Sequence, residues 1–191
     1  MGVGEVMAAC RRAIFLDRDG VLNEVALRDG RPYPPASLAE LRLTAGVEEC
    51  LADLKGSGFL LIVVTNQPDV ARGKQSAAAV EEIHGFLASR LPIDDVYVCY
   101  HDDANRCDCR KPEPGLVLQA AEKHGIDVSE SFLIGDRWRD IEAGHRAHCK
   151  TVFINYGYAE KGPEAPATFE TRSLRSAVDW ILAYAERKGV V

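Results

Sequence analysis

The chain has 191 residues, 47% of them apolar, and a formal net charge of −6. Length and composition suit a single domain over residues 1–191 with a sizeable core. The acidic balance, 29 Asp and Glu against 23 Lys and Arg, argues against a nucleic-acid groove across the surface, and no apolar run reaches membrane-spanning length.

Residues 1–12 (MGVGEVMAACRR) lack the long apolar region of a secretory signal and read as an N-terminal tail on a cytoplasmic, monomeric protein. The apolar run Ala13 to Leu16 then reads as a buried strand. It ends in Asp17-Arg18-Asp19-Gly20. Residues two apart in an extended chain face one side, so Asp17 and Asp19 are expected to converge where Gly20 lets the chain turn. Two carboxylates that close need a cation between them, and Mg²⁺ takes oxygen ligands while leaving room for phosphate. Asp17 is therefore the candidate nucleophile toward phosphorus, and Asp19 the candidate proton donor to the leaving oxygen.

A helix is predicted near Val47–Lys55, and Phe59–Thr65 reads as a strand covered on both faces. Thr65 and Asn66 at its exit offer a hydroxyl and an amide for phosphate oxygens. Val80, Ile83 and Leu87 recur at helical spacing, Val96–Cys99 reads as a short strand, and a further helix runs from Pro114 to Gly125. Phe132–Gly135 and Thr151–Ile154 are two more strands, with a helix near Asp140–Ala147 between them. Val178, Ile181, Leu182 and Ala185 mark a last amphipathic helix. Residues 28–42 and 156–172 read as loops. Such alternation predicts an α/β fold, a Rossmann-like parallel sheet sandwiched by helices, with ligands bound beyond the carboxyl ends of the strands.

Three clusters fall at those ends. Arg110-Lys111-Pro112 places two cations in a loop, Lys111 toward the phosphoryl group and Arg110 toward the rest of the substrate. Gly135-Asp136-Arg137-Trp138-Arg139-Asp140 supplies Asp136 to the Mg²⁺ shell, with Asp140 behind it one helical turn on. Arg72, Asp102 and Asp103 read as solvated charges.

Cys99-x-His101-x5-Cys107-x-Cys109 presents three thiols and an imidazole, a closed tetrahedral set for Zn²⁺ of the structural kind. Residues 99–109 are thus expected to form a zinc-binding loop that orients Arg110 and Lys111. Cys10, Cys50 and Cys149 are scattered and read as tail or buried apolar residues. His84, His124, His145 and His148 read as structural or solvent-facing.

FLDRDGVLN, TNQ, RKP and GDRWRD, in that order over residues 13–155, resemble the four motifs of the haloacid dehalogenase superfamily of phosphatases. The zinc signature makes the chain similar, within it, to the D-glycero-D-manno-heptose-1,7-bisphosphate 7-phosphatases and to the histidinol-phosphatase domain of the bifunctional histidine-biosynthesis protein. The resemblance implies no large cap domain and an aspartyl-phosphate formed on Asp17. It implies Mg²⁺ on Asp17, the backbone carbonyl of Asp19, and Asp136. It also implies Thr65 and Lys111 on the phosphoryl group, with Asn66, Arg110 and Arg137 in phosphate or substrate binding. TNQ…ARG and CRKPEPGL favour the heptose branch, hence a small phosphorylated sugar as substrate. Alternatives are histidinol phosphate or another small phosphorylated metabolite, and a non-catalytic, zinc-stabilised interaction module. Pro68-Asp69 stands where the heptose branch has Ser-Gly, Arg137 replaces a common Lys, and the five residues between His101 and Cys107 are few, closer to the histidinol-phosphatase form.

Overall fold

The computed structural model describes residues 10–188. Most of the predicted tail, residues 1–9, lies outside the described residues. Its end does not behave as a tail: Arg11 N–H donates to Gly125 O at 3.2 Å, and Arg12 O accepts from Leu60 N–H at 2.9 Å. These backbone groups sit beside buried strands and need partners there, so the chain joins the sheet two residues early.

Six parallel strands form the sheet: β1 (Ala13–Leu16), β4 (Leu60–Asn66), β5 (Asp95–Cys99), β6 (Phe132–Gly135), β7 (Lys150–Ile154) and β8 (Phe169–Thr171). Their spatial order is β5-β4-β1-β6-β7-β8. The chain runs outward from β1 to β5, then returns to the other side of β1 with β6. The order therefore reverses at β1, where α/β sheets open a crevice.

Alternation along the strands sorts the core into two layers. Ile14, Leu16, Leu61, Val63, Phe132 and Ile134 pack on one face with α1 (Val47–Gly56), α2 (Ala77–Arg90) and α5 (Leu174–Arg187). Ala13, Phe15, Leu60, Ile62, Val64 and Leu133 face α3 (Gly115–His124) and α4 (Trp138–Arg146). Burial on both faces is why these strands read as unbroken apolar runs. Phe132 makes edge-to-face contacts with Phe59, Trp180 and Tyr184, pinning α5 to the sheet. Among the described residues, no helix is long and apolar enough to cross a membrane.

Two predicted loops hold strands. Residues 26–33 form an antiparallel hairpin, β2 (Ala26–Arg28) and β3 (Arg31–Tyr33). Its turn, Asp29-Gly30, has positive φ at both residues (51° and 72°), the conformation that an Asp-Gly pair favours in a tight hairpin. The strand pattern was too short to show. β8 is a three-residue edge strand, equally short of a periodic signal.

Below the exit of β1 lies a fully buried arginine. Arg18 Nη2 donates to Asp19 Oδ1 and Oδ2 at 2.9 Å and to Gln67 Oε1 at 3.1 Å, and its Nη1 lies 3.3 Å from His84 Nε2 on α2. Burial first, then the Arg18 charge, hold the His84 imidazole down at about 4, against a partial pull upward from Glu81 and Asp19. An unfolded chain would protonate this imidazole near pH 6.5 while the folded one stays neutral. Stability contributed by neutral His84 is therefore whole above pH 6.5 and lost as pH falls toward 4, by at most about 3 kcal/mol. Denaturant melts of wild type and His84→Gln across pH 7 to 4 should show their difference in unfolding free energy shrinking over that window. A difference independent of pH would refute the account.

Candidate active site

The carboxyl ends of β1, β4 and β6 deliver Asp17, Thr65-Asn66 and Gly135-Asp136 to one crevice, because the three strands are neighbours in register. Asp17 N–H still donates to Ile134 O at 3.0 Å, so the sheet holds its backbone. α4 starts directly after β6 and brings Asp140 over the same spot. Gly20 is required here: its φ is +85°, and a Cβ would fall 1.8 Å from Asp136 Oδ2.

At the floor, Lys111 Nζ donates to Asp17 Oδ1 at 2.8 Å, Asp140 Oδ1 at 2.6 Å and Val64 O at 2.8 Å. Burial opposes its charge, but Asp140 and Asp17 outweigh burial and raise its pKa. Asp17 Oδ1 also accepts from Arg18 N–H at 2.8 Å, leaving Oδ2 with no hydrogen bond among the described residues. Burial, then Asp140, push the Asp17 carboxyl up to about 6 despite Lys111. Burial, then Asp17 and Asp140, raise Asp136 well above the carboxylate range.

Carboxylate oxygens of Asp17, Asp136 and Asp140 lie within 4.8 Å of one another. Both oxygens of Asp140 are taken, Oδ1 by Lys111 and Oδ2 by Arg137 N–H at 3.0 Å. Asp136 Oδ2 accepts from Tyr158 OH at 2.8 Å, while its Oδ1 is buried without a partner. An orphaned buried oxygen facing further carboxylates fits a small hard cation such as Mg²⁺. Asp17 and Asp136 have free oxygens for it; Asp140 holds Lys111 and the start of α4.

The convergence of Asp17 and Asp19 takes a different form from the one expected. Each has its own cation. The Asp19 carboxylate is caged by Arg18, by Asn23 Nδ2 at 3.0 Å and by Gln67 Nε2 at 2.8 Å. The spacing rule does not show this, because the intervening Arg18 folds beneath the strand end. Thr65 and Asn66 are also already engaged. Thr65 Oγ1 accepts from Gln67 Nε2 at 2.9 Å, and Asn66 clasps the backbone of Lys111, N–H and C=O each at 3.0 Å. Asn66 thus positions the lysine rather than facing open solvent. The Lys111–Pro112 peptide is cis.

The four residues expected to bind zinc, Cys99, His101, Cys107 and Cys109, form a compact cluster. Sulfur–sulfur separations among Cys99, Cys107 and Cys109 are 3.1 to 3.7 Å, and His101 Nδ1 lies 3.5 Å from Cys109 Sγ and 3.7 Å from Cys99 Sγ. The edges of a tetrahedron around zinc measure ~3.7 Å at usual Zn–S lengths. All six cysteines are free thiols, and Cys50 and Cys149 are buried as expected.

Asp17, Asp136, Asn66 and Lys111 open into a cavity of about 350 Å³, overhung by Pro32, Tyr33 and Pro34 of the hairpin. Its outer rim carries Arg72, Arg110 and Arg139. Asp103, read as solvated, is exposed but is also the shared partner of these three, and Arg110 in particular holds its carboxyl below the usual range. Arg72 likewise is paired, with Asp69. Arg137 lines the cavity but its guanidinium is paired with Glu160. Sequence reasoning missed Gln67, Tyr158 and Arg139. Gln67 lay inside TNQ and was readable; Tyr158 sits in an irregular segment with no motif.

A family model described as "HAD-hyrolase-like" matches residues 108–176. D-glycero-beta-D-manno-heptose-1,7-bisphosphate 7-phosphatase from Helicobacter pylori is 32% identical over 92% of this chain and 99% of its own. The protein of the same name from Escherichia coli is 34% identical over 92% and 91%. The crystal structure of D,D-heptose 1,7-bisphosphate phosphatase from B. bronchiseptica, complexed with magnesium and phosphate, superposes with a TM-score of 0.77 at 28% identity, covering 91% of this chain and 99% of that one. The chain belongs to the haloacid dehalogenase-like hydrolases, alongside the heptose bisphosphate phosphatases.

Proposed function

We propose that the protein is a Mg²⁺-dependent phosphomonoesterase that removes the 7-phosphate of D-glycero-D-manno-heptose 1,7-bisphosphate through an aspartyl-phosphate on Asp17. The observation that carries the mechanism is the Asp17 carboxylate. One oxygen is locked by Lys111 and a backbone N–H, and the other has no partner and lines the cavity. An oriented carboxylate with one free oxygen is built for nucleophilic attack. When bound, Mg²⁺ would neutralise charge between the attacking carboxylate and the phosphate. Lys111 would share that task, and Asp19, once rotated out of its Arg18–Gln67 cage and protonated from solvent, would hand that proton to the departing sugar oxygen. The backbone carbonyl of Asp19 completes the proposed Mg²⁺ set with Asp17 and Asp136. The sugar rests on the relatives' names, which specify the β anomer, and on a cavity of matching polarity.

The zinc cluster is proposed as a clasp. With four protein ligands no position remains for a reacting water, and Cys109 is followed directly by Arg110 and Lys111. The acidic net charge supports a small substrate rather than a nucleic acid.

Asp17→Asn should stay folded by circular dichroism yet turn over an aryl phosphate at under about one-thousandth of the wild-type rate; undiminished turnover would end the assignment. The kcat/KM for both heptose bisphosphate anomers should exceed that for histidinol phosphate. The short His101–Cys107 gap makes that comparison the informative one, and the reverse order would move the substrate to histidinol phosphate. Metal analysis should find about one zinc per chain. Cys107→Ser should lower the Tm more than it weakens Mg²⁺ binding, since structural zinc contributes to folding directly. A protein that purifies without zinc and melts unchanged would remove the clasp.

A further inference from the structure

In the cavity that Asp17 lines, three guanidinium groups from three separate segments meet around one carboxylate. Arg72 comes from the turns after β4, Arg110 from the end of the zinc loop, and Arg139 from the first turn of α4. Asp103 Oδ1 accepts from Arg110 Nε at 3.0 Å and lies 3.2 Å from Arg139 Nη1, while its Oδ2 lies 3.8 Å from Arg72 Nη2.

Three features mark Asp103 as a stand-in rather than a fixture. The first is charge. Three arginines face two carboxylates, Asp103 and Asp69, so the rim keeps a positive surplus. The second is fit. A carboxylate has two oxygens, and it leaves Arg72 beyond hydrogen-bond reach, whereas the three terminal oxygens of a phosphate monoester can serve three forks. The third is freedom. The Asp103 side chain is 57% exposed, against 10% for Arg110. The helical turn that carries it, Asp103–Asn105, is closed by Asp102 and Asn105 and not by Asp103. The carboxylate can leave without undoing the turn.

We infer that Asp103 is the resting occupant of the anion subsite on this rim, and that a ligand's second phosphate binds by displacing it. The identity of that ligand as a sugar bisphosphate rests on the function proposed above; the displacement does not. Asp103 then acts as a built-in competitor. It admits a dianion that can satisfy all three arginines and resists singly charged groups that gain little by replacing it.

Sulfate titrated calorimetrically into the Mg²⁺-free protein reads the subsite directly, because Lys111 is already saturated by Asp17 and Asp140. Asp103→Asn should bind sulfate roughly tenfold more tightly than wild type, Asp103→Glu should restore competition, and Arg139→Gln should weaken binding by a similar factor. In turnover, Asp103→Asn should lower KM for the heptose bisphosphate more than KM for the matching 7-monophosphate. Sulfate affinity in Asp103→Asn that is equal to or weaker than wild type overturns the inference, and would make Asp103 an aligner of Arg110. A protein that hydrolyses an aryl phosphate but no sugar bisphosphate would refute the substrate reading, while the sulfate result would still decide the role of Asp103.

Discussion

The buried ammonium of Lys111 is the interaction on which the site depends. It is 3% exposed and joins the tip of β1 through Asp17, the backbone of β4 through Val64, and the first turn of α4 through Asp140. Removing one partner from such a cluster costs about 3–5 kcal/mol, because it strands a desolvated charge. The lysine's place is itself overdetermined. Asn66 grips its backbone on both sides, and the cysteine cluster ends two residues upstream. Strand order, the cysteine-bearing loop and the floor of the cavity are therefore one mechanical unit.

Charge counting explains why this unit is incomplete by itself. Three buried carboxylates, Asp17, Asp136 and Asp140, surround one ammonium. Burial and mutual repulsion push both Asp17 and Asp136 toward the protonated form, and the free oxygen of Asp136 has nothing to bond. A divalent cation answers the charge deficit and the orphan oxygen together. The arginine cluster in the same cavity has the reverse imbalance, with three guanidinium groups, Arg72, Arg110 and Arg139, to the two carboxylates Asp69 and Asp103. A substrate carrying phosphate at both ends matches a floor that needs cation plus phosphate and a rim that needs an anion.

Legibility in the sequence followed the range of the interaction. Five of the six sheet strands were readable because apolar runs and turn residues are local signals, and the two clusters that could hold a metal were readable because their members sit at strand exits or in tight spacing. Contacts between distant segments were not. Arg18 looked like a spacer between two aspartates, yet it is a buried support bonded to Gln67, 49 positions away. Asn66 looked like a phosphate ligand, yet it clasps Lys111 45 positions on. Asp103 looked solvated because its three arginines come from segments that meet only when the sheet is assembled. The hairpin and β8 escaped because three residues show no period.

The three departures from the heptose-branch pattern are best understood through their partners. Asp69, in place of glycine, pairs with Arg72 at 3.3 Å, and Arg137, in place of lysine, is held by Glu160. The short His101–Cys107 loop carries Asp103, whose Oδ1 accepts from Arg110 Nε, seven residues later, at 3.0 Å. The two charged departures, Asp69 and Arg137, are thus each matched by a countercharge from this same chain, and both line one cavity together with Pro68 and Asp103. A degenerating site would lose partners at random and leave unpaired charge behind. Here the charged changes are paired and the floor around Lys111 keeps both of its carboxylate partners. The buried lysine ties that floor to the sheet, whereas the residues that depart from the pattern line the cavity above it, where a change of side chain need not strand a desolvated charge.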